Sequence, residues 1–201
     1  MIIHNLNNDL PDAIFTDCMN ALESPGDVLL VPTETVYGLV CRWDDHKAVD
    51  RIYELKGREQ NKPLALFVDS TDTLKKHGIE LNENAEKIAE KFCPGPVTVV
   101  VPQGDKTVGF RIPDHPFMLE LLKQTGYPLA STSANRSGDP NALSPGEALD
   151  MLDGNPNIII SEGYIPKDRC ASTVVLAHPD RIEILREGPI SAAELLDACE
   201  L

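Results

Sequence analysis

Apolar residues Ile14, Phe15, Cys18, Met19 and Leu22 recur at helical spacing between Pro11 and Gly26 and predict a helix. Residues 27–31 (DVLLV), four apolar residues in a row after Asp27, predict a buried strand. The 45–56 segment is helical through Val49, Ile52 and Tyr53, with Gly57 as its stop. A strand is expected at 64–68, then a helix at 82–92 capped by Asn82, with Ala85, Ile88, Ala89 and Phe92 on one face. Strands at 97–101 and 108–112 precede a helix at 114–124 that Gly126 ends. A strand at 129–131, a helix at 145–152 and strands at 158–160, 172–176 and 182–185 follow, with a last helix at 191–198 capped by Ser191.

Strands and helices interleave along the chain, which predicts an α/β fold. The order is not strictly alternating: strand pairs are adjacent at 97–112 and at 172–185, so the sheet is expected to be mixed. No repeat, low-complexity tract or linker divides residues 1–201, which read as one domain. Two irregular stretches, 133–144 and 162–171, are long enough to be functional loops.

Composition changes this picture only in detail. Lys+Arg number 18 against 32 Asp+Glu, a formal net charge of −14, which argues against adhesion to nucleic acid or an anionic membrane through bulk charge. The charge is uneven, however. Residues 1–55 carry 3 basic and 10 acidic side chains, 56–136 carry 11 and 10, and 137–201 carry 4 and 12. A local basic site belongs in the middle third. Five widely spaced cysteines without a C-x-x-C suit reduced thiols better than disulfides or zinc. The five histidines never approach H-E-x-x-H spacing, so no resident metal is expected. The N-terminus lacks the features of a signal peptide, and the apolar runs are too short to span a bilayer. These features predict a soluble, cytoplasmic chain.

Candidate chemistry lies in separated strings. Pro32 to Gly38 (PTETVYG) follows a buried strand and holds two hydroxyls, a carboxylate and a phenol, although Thr33 and Thr35 could equally satisfy a turn. Lys56-Gly57-Arg58 sits at a helix end, where cations also simply complement the dipole. Arg111 lies inside an apolar strand and needs an anionic partner if buried. Ser131 to Asn135 (STSAN) offers hydroxyls and an amide at the end of a strand, suited to phosphate oxygens. Neither a G-x-x-x-x-G-K-[ST] loop nor a G-x-G-x-x-G is present.

Taken in order, these strings resemble the YrdC family of threonylcarbamoyl-AMP synthases over nearly the whole chain. They are PTETVYGL at 32–39, KGR at 56–58, KPL at 62–64, PGPVT at 94–98, FRIPDHP at 110–116, STSAN-x-SG at 131–138, STVV at 172–175 and REG at 186–188. The resemblance implies a YrdC-like twisted mixed β-sheet with flanking helices and a deep, locally positive cavity. It implies the reaction of L-threonine, bicarbonate and ATP to threonylcarbamoyl-adenylate and pyrophosphate, with Mg²⁺ carried on the phosphates. The product would serve a downstream transferase complex that modifies an adenosine of tRNA, and tRNA or double-stranded RNA is an implied partner.

Position by position, the resemblance implies that Lys56, Arg58, Ser133 and Asn135 form the catalytic set around the nucleotide phosphates. Lys62, Thr107, Asn141 and Arg186 join them in holding ATP, and Thr33, Thr35, Arg111, Ser131 and Ser172 hold threonine. Phe67 departs from members that place a His at that point of the strand after KPL. The chain resembles the short, single-domain members. No side chain stands out as a general base, so positioning and electrostatics would carry the chemistry. Two other readings remain: a paralogue that binds RNA or nucleotide without making the adenylate, and carbamoyl transfer as in hydrogenase-maturation proteins. The latter carry further domains and zinc-finger cysteines.

Overall fold

The computed structural model describes residues 1–60 and 62–201. Along the chain the elements are β1 (Ile2–Asn5), α1 (Pro11–Leu22), β2 (Leu29–Val31), β3 (Gly38–Arg42), α2 (His46–Lys56), β4 (Ala65–Phe67) and α3 (Thr71–Lys76). They continue as α4 (Glu83–Phe92), β5 (Val97–Gln103), β6 (Lys106–Arg111), α5 (Pro116–Thr125), β7 (Leu129–Ser133) and α6 (Pro145–Met151). The last are β8 (Ile158–Ser161), β9 (Thr173–Ala177), β10 (Ile182–Arg186) and α7 (Ala192–Cys199). The α/β expectation and the mixed strand pairing are both borne out. The expected caps are present: Asn82 caps α4, and Ser191 with Glu194 forms a capping box on α7. Asp45, expected within its helix, is instead the cap of α2, accepting from the amides of Lys47 and Ala48.

Three elements go beyond the sequence expectation: β1, β3 and α3. All three are short, six residues in α3 and four and five in β1 and β3, so each offers few positions in which a pattern could show. β7 also runs two residues further than expected. Its partner is β3, with Gly38 opposite Ser133 and Val40 opposite Ser131, so the STS string lies inside a paired strand.

The chain forms two compact units, residues 1–64 with 129–169 and residues 65–128 with 170–201. In the first, strands run in the order β1-β8-β2-β3-β7; β8 is parallel to β1 and β2, while β3 is antiparallel to β2 and β7. Its core gathers Leu30, Leu39, Cys41 and Ala130 from the sheet with Ile52 of α2 and Ala148 of α6. Ser131 and Ser133, one residue out of phase with Ala130, occupy the opposite face of β7.

In the second unit the order is β4-β6-β5-β9-β10, with β4–β6 and β5–β9 parallel and the other pairs antiparallel. Val97, Val99, Val101, Phe110, Val175 and Ala177 share one face and are fully buried. The alternate positions Val100, Gly109, Val174 and Leu176 are only half-buried. Thr98 and Arg111 stand on that second face, as does Phe67 opposite Arg111. The second face is thus less deeply buried, and it carries Thr98 and Arg111 among apolar neighbours.

Candidate functional site

In the first unit the KGR and STSAN strings meet. Gly57 takes a left-handed conformation, φ 55°, and ends α2. Just before it, Lys56 is 1% exposed, and its ammonium donates to the carbonyls of Ser133 and Asn135, the latter at 2.6 Å. Backbone bonds reinforce the junction, from Ser137 N to Lys56 O (3.0 Å) and from Asp153 N to Leu55 O (2.8 Å). Burial pushes the Lys56 ammonium down to about 8, and the nearby Arg58 charge acts in the same direction. An ammonium has three N–H groups. Two are taken by carbonyls, which leaves one for a ligand.

Arg58 turns elsewhere. Its Nε donates to Lys62 O at 3.3 Å and its Nη2 to Pro63 O at 3.2 Å, so it braces the backbone of the KPL string. The Lys62 side chain is exposed, 3.8 Å from Glu59. Asn135 is buried, and its Nδ2 donates to the carbonyls of Arg136 (3.0 Å) and Asp139 (2.7 Å). Carbonyls only accept, so these bonds fix which way the amide faces. Its Oδ1 is buried with no partner among the described residues, an acceptor awaiting a donor. The hydroxyl of Ser133 is half-buried at the end of β7, and Asn141 is half-buried in the loop beyond.

The PTETVYG string is a folded turn. The Thr33 hydroxyl donates to Val36 O at 2.6 Å, accepts from the amides of Thr35 and Val36, and lies 3.0 Å from the Thr35 hydroxyl. Its proton is therefore committed to the turn. Thr35 and Ser131 are buried. Tyr37 anchors the 162–171 loop: its hydroxyl donates to Gly163 O at 2.7 Å and accepts from Glu162 N at 3.1 Å.

In the second unit Arg111 is 5% exposed, and its Nε donates to Gly95 O at 3.3 Å. Its guanidinium carbon sits 5.7 Å from the centre of the Phe67 ring, a cation–π arrangement at the position that departs from the family pattern. Arg186 grips Ser172, with Nε and Nη2 donating to its carbonyl at 3.1 and 2.7 Å and Nη2 to its hydroxyl at 3.2 Å. Burial lowers the Arg186 pKa, and the charge of Arg111 lowers it further. Two guanidiniums that feel each other on one sheet face favour an anion. Thr107 is exposed on β6, at its paired end opposite Pro102.

Sequence reasoning passed over Thr98, whose hydroxyl lies 2.8 Å from that of Ser172. Its signal was present: one hydroxyl inside the apolar run VTVVV. It also passed over the role of Gly188. A Cβ there would collide with Thr173 N and lie 2.7 Å from Ala171 O, so the REG loop rests directly on the backbone that carries Ser172.

The family model Sua5/YciO/YrdC, described as telomere recombination, matches residues 21–188, which takes in every string from PTETVYGL to REG. The chain belongs to the Sua5/YciO/YrdC family. It is similar to the threonylcarbamoyl-AMP synthase of mouse (Mus musculus), 37% identical over 181 residues that cover 81% of this chain and 63% of that one. Among solved structures it is similar to Pyrococcus abyssi Sua5 complexed with L-threonine, with 32% identity and a TM-score of 0.87 over 98% of this chain and 61% of that one. It shares its fold with E. coli YciO, at a TM-score of 0.81 and 24% identity over 97% and 98% of the two chains. The chain thus spans just over three-fifths of the length of the mouse and Pyrococcus abyssi proteins.

Among the described residues no group of three or more His, Cys, Asp or Glu could hold a metal ion, and no helix is long and apolar enough to cross a membrane.

Proposed function

We propose that this family member is a threonylcarbamoyl-AMP synthase that joins L-threonine, bicarbonate and ATP and releases pyrophosphate. The observation that carries the reading is the Lys56 ammonium, lodged on the carbonyls of Ser133 and Asn135 with one N–H left for a phosphate oxygen. Its support from outside the chain is the likeness to curated synthases and to a Sua5 that binds L-threonine.

The chemistry suits the residues. Threonine's amine combines with bicarbonate to give a carbamate and water, and the carbamate oxygen then attacks the α-phosphate while pyrophosphate leaves. Nucleophile and electrophile are both anionic, so fixed cations carry the burden. Lys56 serves the triphosphate through its remaining N–H, and Arg58 through the guanidinium N–H groups that its bonds to the Lys62 and Pro63 carbonyls leave over, with Ser133, Asn135, Lys62, Thr107, Asn141 and Arg186 completing the ATP contacts. The orphan Oδ1 of Asn135 suits a donor, such as a ribose hydroxyl, better than a bare phosphate oxygen. Arg111 holds the threonine carboxylate, with Thr33, Thr35, Ser131 and Ser172 around the amino acid. Thr33 contributes through its turn, because its own proton is already donated.

Mg²⁺ enters with ATP on the phosphates. Residues 1–201 act as one domain, the product passes to a transferase that modifies tRNA, and the work is cytoplasmic. The family match supports the single-domain reading, since 21–188 includes residues of both compact units. The test is incubation of the full chain with ATP, L-threonine and labelled bicarbonate, scoring pyrophosphate and a labelled adenylate. Threonine-dependent release of both is expected. Release that ignores threonine, or nucleotide binding without turnover, would instead favour a binding paralogue.

A further inference from the structure

On the second face of the second unit's sheet, Thr98 and Ser172 form a pair of hydroxyls whose protons can be traced. Thr98 is 8% exposed and Ser172 3%, and their oxygens are 2.8 Å apart. Ser172 Oγ also accepts from Arg186 Nη2 at 3.2 Å, and a guanidinium can only donate. Within the pair one hydroxyl must donate to the other. The pair holds two protons and uses one internally, so one O–H remains to point beyond it.

Which one points outward depends on what is bound. Accepting a hydrogen bond from a cation polarises the Ser172 O–H and strengthens it as a donor. An anionic oxygen is a better acceptor than the Thr98 hydroxyl. With an anion bound, the chain of donors therefore runs from Thr98 to Ser172 to the ligand. The setting is built for an anion, because Arg111 projects from β6 on the same face and Arg186 lies against Ser172. Gly109, two residues before Arg111 on β6 and opposite Val100, leaves that part of the face without a side chain. A Cβ there would lie 3.7 Å from the Thr98 methyl.

We propose that Thr98 is a positioning residue for the amino-acid substrate: by donating to Ser172 Oγ it turns the Ser172 O–H outward, as a donor to a carboxylate or carbamate oxygen beside Arg111 and Arg186. The inference rests on the synthase reading for the identity of the anion, and its geometry stands on Thr98, Ser172 and Arg186 alone. Thr98→Val keeps the shape and β-branching of the side chain but removes the donor, whereas Thr98→Ser keeps the donor and loses a methyl group.

The experiment measures L-threonine binding calorimetrically, and threonine-dependent pyrophosphate release, on the full chain and both variants, with thermal melting alongside. Thr98→Val is expected to weaken threonine binding, and raise its KM, about tenfold. The KM for ATP and the kcat should stay within about twofold, and Thr98→Ser should recover most of the loss. Thr98→Ala carries the same comparison should the valine variant fail to fold. Threonine binding equal to wild type in Thr98→Val, or equal losses for threonine and ATP with a lowered melting point, overturns the proposal. If the wild type binds threonine but releases no pyrophosphate, the synthase reading fails while the binding comparison still decides the role of Thr98.

Discussion

The Nζ of Lys56 donates to the carbonyl of Asn135 at 2.6 Å, tying the last residue of α2 to the turn after β7. This is not a solvated cation capping a helix. Lys56→Met would remove the charge and leave the carbonyls of Ser133 and Asn135 without that donor, at a cost of about 1–3 kcal/mol each. It would also relieve a buried ammonium whose depressed pKa corresponds to about 3 kcal/mol. The two effects largely offset, so the melting point should move by only a few degrees. In the proposed role, turnover should fall roughly a hundredfold, since the charge developing on pyrophosphate loses the Lys56 cation. Single-turnover adenylate formation at saturating ATP checks this. Near-normal rates in a folded variant would make Lys56 a purely structural strut.

The same ammonium gives the protein a pH signature with two opposite signs. Its pKa is about 8 in the folded chain against an ordinary value of 10.5. Below about 8 both states hold the proton, and the burial cost is present in full. Between about 8 and 10.5 the unfolded state binds more protons, so this group's contribution to stability rises with pH. In the proposed role the charged form serves ATP, so kcat/KM for ATP should fall over the same window. Parallel pH profiles of melting and of pyrophosphate release would show the two trends diverging, and Lys56→Met should lack both.

Arg111→Lys keeps a positive charge but loses the planar fork. A lysine ammonium cannot present paired N–H groups to a carboxylate while also holding Gly95 O and facing the Phe67 ring as the guanidinium does. Threonine affinity should fall about tenfold, roughly 1.4 kcal/mol, with ATP binding much less affected. Equal losses for both substrates in titrations would assign Arg111 to the fold or to the phosphates.

How much of this was legible in the sequence follows from which signals are local. The helix caps Asn82 and Ser191, and the stop at Gly57, act within one turn and were readable, whereas Asp45, expected as the first residue of its helix, caps it instead. β3 was not, because GLVCR carries no alternation and its strand character comes from pairing with β2 and β7. The extra length of β7 went unread for the same reason. At the site, the strings named Lys56, Ser133 and Asn135 together, but that Lys56 is buried and bound to two carbonyls 77 and 79 residues away is a tertiary fact. Nor does the KGR string reveal that Lys56 and Arg58 take separate partners, Arg58 reaching the Lys62 and Pro63 carbonyls.

Gly188 offers the sharpest steric test. The obstacles to a side chain there are all backbone atoms, Thr173 N, Ala171 O and Ser172 C, which cannot swing aside as a flexible side chain would. Gly188→Ala must therefore push the REG loop away from the start of β9. Two sets of bonds bridge that contact. Thr173 Oγ1 donates to Ile190 O at 2.7 Å and accepts from Ile190 N at 3.0 Å, and Arg186 holds Ser172. Losing the Thr173 pair alone would cost about 1–3 kcal/mol, because Thr173 is fully buried and water cannot easily replace its partners. Displacing Arg186 would free Ser172 from its charged donor and slacken the proposed anion site. The expected outcome is a melting point lower by several degrees, with threonine and ATP affinities both reduced, and faster amide exchange at Ile190 than in the wild type. An unchanged melting point with wild-type affinities would mean that the loop yields without strain, and that the close approach at Gly188 does not hold Arg186 in place.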